Sequence, residues 1–204
     1  MYNLLRHARE RSDVWVFSTM LIGASLSLLA AFVLSVDAIT IAKDSNAQLS
    51  CSLNTVINCA SVMRHPSAAL FGFPNSFLGL IAEPIVITVA VAGLAGVRFP
   101  RAFMATAQVW YGLGLIFAYY LFYESFAVIG ALCPWCLLVT LSTTLVFMSL
   151  LHYNIRENNL YLTDKHSAAL KKWTASGYDR LLTAIVIVAL VFIILFKYHD
   201  GLFG

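Results

Sequence analysis

An all-α integral membrane protein is the fold class that this sequence predicts: five transmembrane helices, four of them bundled around a pocket and the fifth peripheral. Three observations carry that expectation. Of the 204 residues, 60% are hydrophobic and only 11% are charged, far from the balance of a soluble domain. The apolar residues gather into five runs, each long enough to cross a hydrocarbon core of about 30 Å. The basic residues gather in alternate connections between those runs. No repeat, low-complexity tract or Gly/Ser linker divides the chain, so residues 1–204 read as a single membrane domain.

The first span covers residues 14–42, with Asp37 near its far end. Arg6, Arg9 and Arg11 precede it, as basic residues precede a secretory signal. A signal's apolar region is only about 7–15 residues long, so this longer run reads as an uncleaved span. The second span is 76–97, the third 102–123, the fourth 131–152 and the fifth 178–198. With the N-terminus in the cytoplasm, Arg6, Arg9, Arg11, Arg98, Arg101, Arg156, Lys165, Lys171, Lys172 and Arg180 all fall inside. Of the 13 basic residues, that leaves only Lys43, Arg64 and Lys197 outside. The asymmetry sets the orientation and explains the basic balance without nucleic acid as a partner. It places the loop 43–75, the start of the fourth span and the C-terminus outside. Between the fourth and fifth spans, Leu160, Leu162, Leu170 and Trp173 alternate with Lys165, Lys171 and Lys172, the pattern of an interfacial helix against anionic membrane lipid.

The four cysteines form two sets, both expected on the outer side. Cys133-Pro134-Trp135-Cys136 opens the fourth span, and a Cys-x-x-Cys can close a small reversible disulfide. Pro134 suits the first helical turn, which puts Cys133 at the helix N-terminus. Free N–H groups and the helix dipole there favour a thiolate. Cys136 lies about one turn deeper, towards lipid, so the outer sulfur is placed to exchange with another disulfide and the inner one to meet a lipophilic oxidant. Cys51 and Cys59 lie in the polar loop. On a continuous helix they would stand about 12 Å apart, beyond the roughly 7 Å limit for a disulfide. Pairing therefore needs a bend, for which Asn54 and Asn58 are suitable. By itself this set fits a permanent structural disulfide as well as a redox pair. All four cysteines together also fit a zinc site. After Pro66, residues 67–71 suit one or two helical turns lying as a lid in the interface.

These residues resemble the vitamin K epoxide reductase family. The resemblance covers roughly residues 14–152. It rests on Cys51-x7-Cys59, then Phe71-Gly72-Phe73-Pro74-Asn75-Ser76-Phe77-Leu78-Gly79 at the start of the second span, then Cys133-Pro134-Trp135-Cys136. It implies an enzyme, a quinone-dependent protein-dithiol oxidoreductase of a bacterial cell membrane that supports disulfide bond formation. By the resemblance, Cys51 and Cys59 are a shuttle pair trading electrons with a DsbA/thioredoxin-like protein. Cys133 exchanges with that pair, and Cys136 reduces the quinone, menaquinone or ubiquinone. Asn75 matches the family asparagine that hydrogen-bonds a quinone oxygen, where a buried amide can stabilise developing charge; an asparagine after Pro74 also suits a helix cap. Animal members carry a tyrosine four residues past the second motif cysteine. This chain has the shorter Thr140 there, a departure from the epoxide-reducing pattern. The sequence ends after the fifth span, so a thioredoxin-like partner is expected to be a separate protein.

Glu83, followed by Pro84, is an ionisable residue inside a span and so a functional candidate. It suits proton handling during quinone reduction, and equally a protonated acid bonded to backbone that Pro84 frees. Trp135, Phe77, Trp110, Tyr111 and Tyr119 suit an aromatic wall, though aromatics are frequent in spans. Arg64 and His65 suit steering of an acidic partner or plain solvation. The rival readings are a vitamin K quinone or epoxide reductase proper, a non-catalytic membrane protein with structural disulfides, and a transporter or zinc-binding membrane protein.

Overall fold

The computed structural model describes residues 2–52 and 54–203, with side chains described for 12–52 and 54–199. The side chains of Arg6, Arg9 and Arg11 lie outside the described residues. Among the described residues there are seven α-helices: α1 (Tyr2–Lys43), α2 (Cys59–Arg64), α3 (Ser76–Leu94), α4 (Arg101–Tyr123), α5 (Pro134–Arg156), α6 (Asp164–Ala175) and α7 (Tyr178–Phe203). Among the same residues, five stretches are long and apolar enough to span a membrane: Ser12–Lys43, Ser76–Leu94, Arg101–Ile129, Pro134–Arg156 and Tyr178–His199. The protein is thus an all-helical, multi-pass membrane protein.

The second span ends at Leu94 rather than 97 and the fourth runs on to Arg156, and two further boundaries differ from the sequence expectation for physical reasons. The third span continues past Tyr123 through a π-helical turn, Glu124–Ile129, which stops where Gly130 adopts φ 72°. That left-handed conformation suits glycine and lets the Gly130 N–H donate to Ser125 O at 3.1 Å. The fourth helix starts at Pro134 rather than at residue 131, because the residues before it are extended and pair with the loop.

The helix α1 packs along both α3 and α5, and α4 closes the bundle against α5. Small residues permit the close approach, as membrane helices require. A Cβ on Gly79 would lie 2.7 Å from the Ala31 Cβ, and one on Gly23 would lie 2.8 Å from Val146. Two solid clusters seal the bundle. Phe17, Met20, Met104, Val146 and Leu150 fill the arginine-rich end, and Leu34, Leu49, Val62 and three cysteines fill the other. Between these ends the bundle is hollow.

The fifth span, α7, packs on α5 and α6 at the periphery. Polar bolts hold both its ends. Asp179 Oδ2 lies 2.6 Å from His152 Nδ1, with both residues buried, and the Tyr198 hydroxyl donates to Phe126 O at 2.8 Å. Where α5 leaves the bundle, the fully buried Asn154 donates to Met104 O (3.1 Å) and Gln108 Oε1 (3.0 Å), tying α5 to α4.

Because the Ala31 Cβ is fixed to its backbone, Gly79→Leu must push α1 and α3 apart. We expect it to destabilise the detergent-solubilised protein by about 1–3 kcal/mol, seen as a lower thermal midpoint, with Gly79→Ala falling between it and the unaltered protein.

Candidate redox site

The loop folds around its asparagines. Asn54 Oδ1 accepts from the N–H groups of Val56 (2.9 Å) and Ile57 (2.6 Å), an Asx-type turn that reverses the chain between the two loop cysteines. Asn58 then caps α2, its Oδ1 accepting from Ser61 N at 3.0 Å. These turns bring Cys51 and Cys59 to a Cα–Cα separation of 5.6 Å, and the two are joined as a disulfide. With those sulfurs bonded to each other, the four cysteines do not offer the four thiolates of a zinc site.

A short backbone pairing docks this loop on the Cys-x-x-Cys. Leu132 N donates to Val56 O (2.7 Å) and Asn58 N donates to Leu132 O (3.0 Å), a parallel bridge between Ile57 and Leu132. Cys59 and Cys133 each follow this bridge within two residues. Cys51, Cys59 and Cys133 share one buried apolar cluster, and Trp135 and Cys136 pack against it.

Cys133 and Cys136 are free thiols, the first fully buried and the second half-buried. Cys133 is the N-cap of α5, and its sulfur accepts from Cys136 N at 3.4 Å. The Cys136 thiol is the chief cause that lowers the Cys133 pKa below the ordinary thiol value, with backbone N–H groups of Cys136 and Trp135 adding to it against burial. Asp37, near the end of α1, places Oδ2 3.7 Å from Cys51 Sγ.

The hollow of the bundle is a cavity of about 760 Å³ whose lining is overwhelmingly apolar. Cys136 opens into it, as do Asn75, Thr140 and Glu83. A short 3-10 turn, Pro66–Ala69, lies over its mouth, and Ser67, Ala68 and Ala69 contribute to the lining. Asn75 occupies the N-cap position of α3 but makes no side-chain cap bond. Its amide instead holds the lid: Nδ2 donates to Ser67 O (2.7 Å) and Oδ1 accepts from Leu70 N (3.2 Å). Thr140 Oγ1 donates back to Cys136 O at 3.0 Å, so its hydroxyl proton stays within α5.

The Glu83 carboxyl turns to neighbouring helices rather than to backbone near Pro84. Ser27 of α1 donates to it at 2.8 Å, and the Tyr111 hydroxyl of α4 lies 3.3 Å from both its oxygens. Trp110 and Tyr111 line the cavity, whereas Trp135, Phe77 and Tyr119 stand outside that lining. Phe77 stacks on Phe73, and Tyr119 bonds Thr144 at 3.0 Å. Arg64 donates to Ala47 O at 3.0 Å and His65 Nδ1 lies 2.8 Å from Ser67 Oγ, so both residues brace the loop and lid. Sequence reasoning passed over the Ile57–Leu132 pairing and the Asp37–Cys51 contact. The β-branched Val56 and Ile57 were the available signal for the first; the second joins residues 14 positions apart, across a helix end, and leaves no local pattern.

A helical membrane protein with a disulfide and a free Cys-x-x-Cys, gathered at the mouth of an apolar cavity, has the parts of a thiol–disulfide oxidoreductase. The Vitamin K epoxide reductase family model matches residues 18–151, about two thirds of the chain, and the protein belongs to that family. No curated protein matches the sequence. Membership implies oxidoreductase activity between disulfides and quinone in a membrane, and the residues matched include both cysteine pairs, the lid and all four bundle spans except their outermost turns.

Removing the Cys136 thiol removes the main support for a Cys133 thiolate. In Cys136→Ala, alkylation of Cys133 by a small reagent should inflect at higher pH than in the unaltered protein, measured as labelling rate against pH.

Proposed function

We propose that this protein reoxidises a secreted DsbA/thioredoxin-like protein and passes the electrons to a membrane quinone, so supporting disulfide bond formation outside a bacterial cell membrane. The N-terminus lies in the cytoplasm, and the cysteines and C-terminus face outwards, as the distribution of basic residues favours. The observation that carries this reading is the burial of Cys51, Cys59 and Cys133 in one cluster beside Cys136, which opens into the cavity.

The cavity fits a quinone. Its volume lies within the roughly 300–1,000 Å³ range of small-molecule sites, and it is apolar with a few convergent polar groups. Gly114 lines it and has open space where a Cβ would stand. A quinone bound there supplies an acceptor for two electrons and two protons.

The protein's own residues do the rest. The partner's thiolate attacks the Cys51–Cys59 disulfide, forms a mixed disulfide, and leaves oxidised once its second thiol displaces the loop cysteine. The reduced loop pair then exchanges with a Cys133–Cys136 disulfide, held within reach by the Ile57–Leu132 pairing. Burial of Cys133 keeps the thiol of a protein partner from bypassing the loop. Cys136 faces the cavity and is the sulfur through which electrons leave. Vitamin K epoxide reduction is less favoured, because Thr140 keeps its hydroxyl proton on its own helix.

The test is quinone-dependent oxidation of a reduced thioredoxin-like protein in detergent. Cys136→Ala should abolish quinone reduction. Cys51→Ala should block turnover with the protein partner but leave oxidation of a small dithiol partly active. Equal loss in both assays for Cys51→Ala would contradict the shuttle, and a loop disulfide that resists mild reductant in alkylation trapping would favour a permanent structural bond.

A further inference from the structure

Reducing a quinone with a dithiol moves protons as well as electrons. The sulfur pair gives up two electrons and two protons as its S–S bond forms, and the quinone becomes quinol by taking two of each. Cys136 is the only thiol among the described residues lining the cavity, and Glu83 is the only carboxyl. Resting on the function proposed above, we propose that Glu83 is a catalytic acid that hands a proton to the quinone oxygen lying deeper in the membrane.

The argument is geometric. Glu83 is eight residues beyond Asn75 on α3, about 12 Å deeper along the helix axis. The Tyr111 hydroxyl that meets Glu83 also lies beside Thr143, which lines the same cavity seven residues beyond Cys136 on α5 and so about 10 Å below it. The sulfur and the carboxyl therefore stand at two levels of one cavity, separated by a span comparable to a para-quinone ring with a contact at each end. A ring with one oxygen near Cys136 presents the other to Glu83.

The surroundings suit a group that loses and regains a proton. Among the described lining residues there is no Lys, Arg or His, so no cation balances a carboxylate there. A carboxylate formed on proton transfer would be costly in an apolar site unless hydrogen-bonded. The Ser27 hydroxyl, 2.8 Å from Oε1, and the Tyr111 hydroxyl, 3.3 Å from both oxygens, are placed to donate to it. Over one turnover the two thiols release two protons and the quinol holds two, so Glu83 lends one proton and recovers one.

A purely structural Glu83 would bolt α1 to α4 through the same two hydroxyls. Glu83→Gln separates the roles: the amide oxygen still accepts from Ser27 and Tyr111, but the amide cannot act as an acid. The purified protein, reduced with a small dithiol, would be mixed with a short-chain ubiquinone. We expect E83Q to oxidise its thiols about 100-fold more slowly than the unaltered protein, the usual scale for losing a general acid. Disulfide exchange between the loop pair and reduced thioredoxin should be unchanged. Independently, time-resolved infrared difference spectra recorded during quinone reduction should show a carboxylic-acid C=O band that is lost and then recovered in the unaltered protein, and none in E83Q. An E83Q rate within twofold of the unaltered protein, or the absence of a carboxyl band in the unaltered protein, overturns this role and leaves the proposed function standing. An unaltered protein that leaves the quinone oxidised overturns both. Should E83Q not fold, the infrared spectrum of the unaltered protein decides.

Discussion

The site depends on one short backbone pairing. Val56 and Asn58 bond the main chain of Leu132, and this pairing is the only extended contact among the described residues. Two polar loops at a membrane surface would otherwise sample many arrangements, because closing a loop of this length costs entropy. Main-chain hydrogen bonds in a partly buried setting offset that cost and satisfy groups that the apolar surroundings would leave unpaired. The pairing also shortens α5 by keeping residues 131–133 extended, and the extended Cys133 is therefore able to cap the helix with its sulfur. A single constraint thus sets both the position of the loop disulfide and the chemistry of Cys133.

The bundle converts that arrangement into a directional path. Cys133 is enclosed within the cluster, whereas Cys136, one turn further along α5, packs at the edge of the cluster and opens into the cavity. The lid completes the partition. Asn75 spends both ends of its amide on the backbone of the turn that follows Pro66, so the start of α3 and the covering turn behave as one unit. Tight seams of glycine and alanine between α1 and α3 hold the cavity wall in place without filling the space.

The five spans were legible because length and composition decide them, as was the all-helical class. The bend between Cys51 and Cys59 was legible through Asn54 and Asn58, whose side chains prefer to close turns on their own backbone. What the sequence concealed was tertiary. Asn75 was readable as a ligand donor or a helix cap, and it holds the lid because the preceding turn folds back over it. Trp135 packs on the cysteine cluster and Phe77 stacks on Phe73, contacts that residue type alone does not reveal. Glu83 was visible as an anomaly in a span, but its partners Ser27 and Tyr111 come from helices far along the chain in either direction.

The bundle is solidly packed at both ends and encloses an apolar cavity between them. The apolar walls of a cavity depend on its occupant for the contacts that close packing provides elsewhere. Any lipophilic guest that settles there restores them and, by mass action, raises the resistance of the whole chain to unfolding. Harsh solubilisation that strips such guests away would therefore weaken the fold while leaving every covalent bond intact, and thermal robustness would track how much of the natural occupant survives purification.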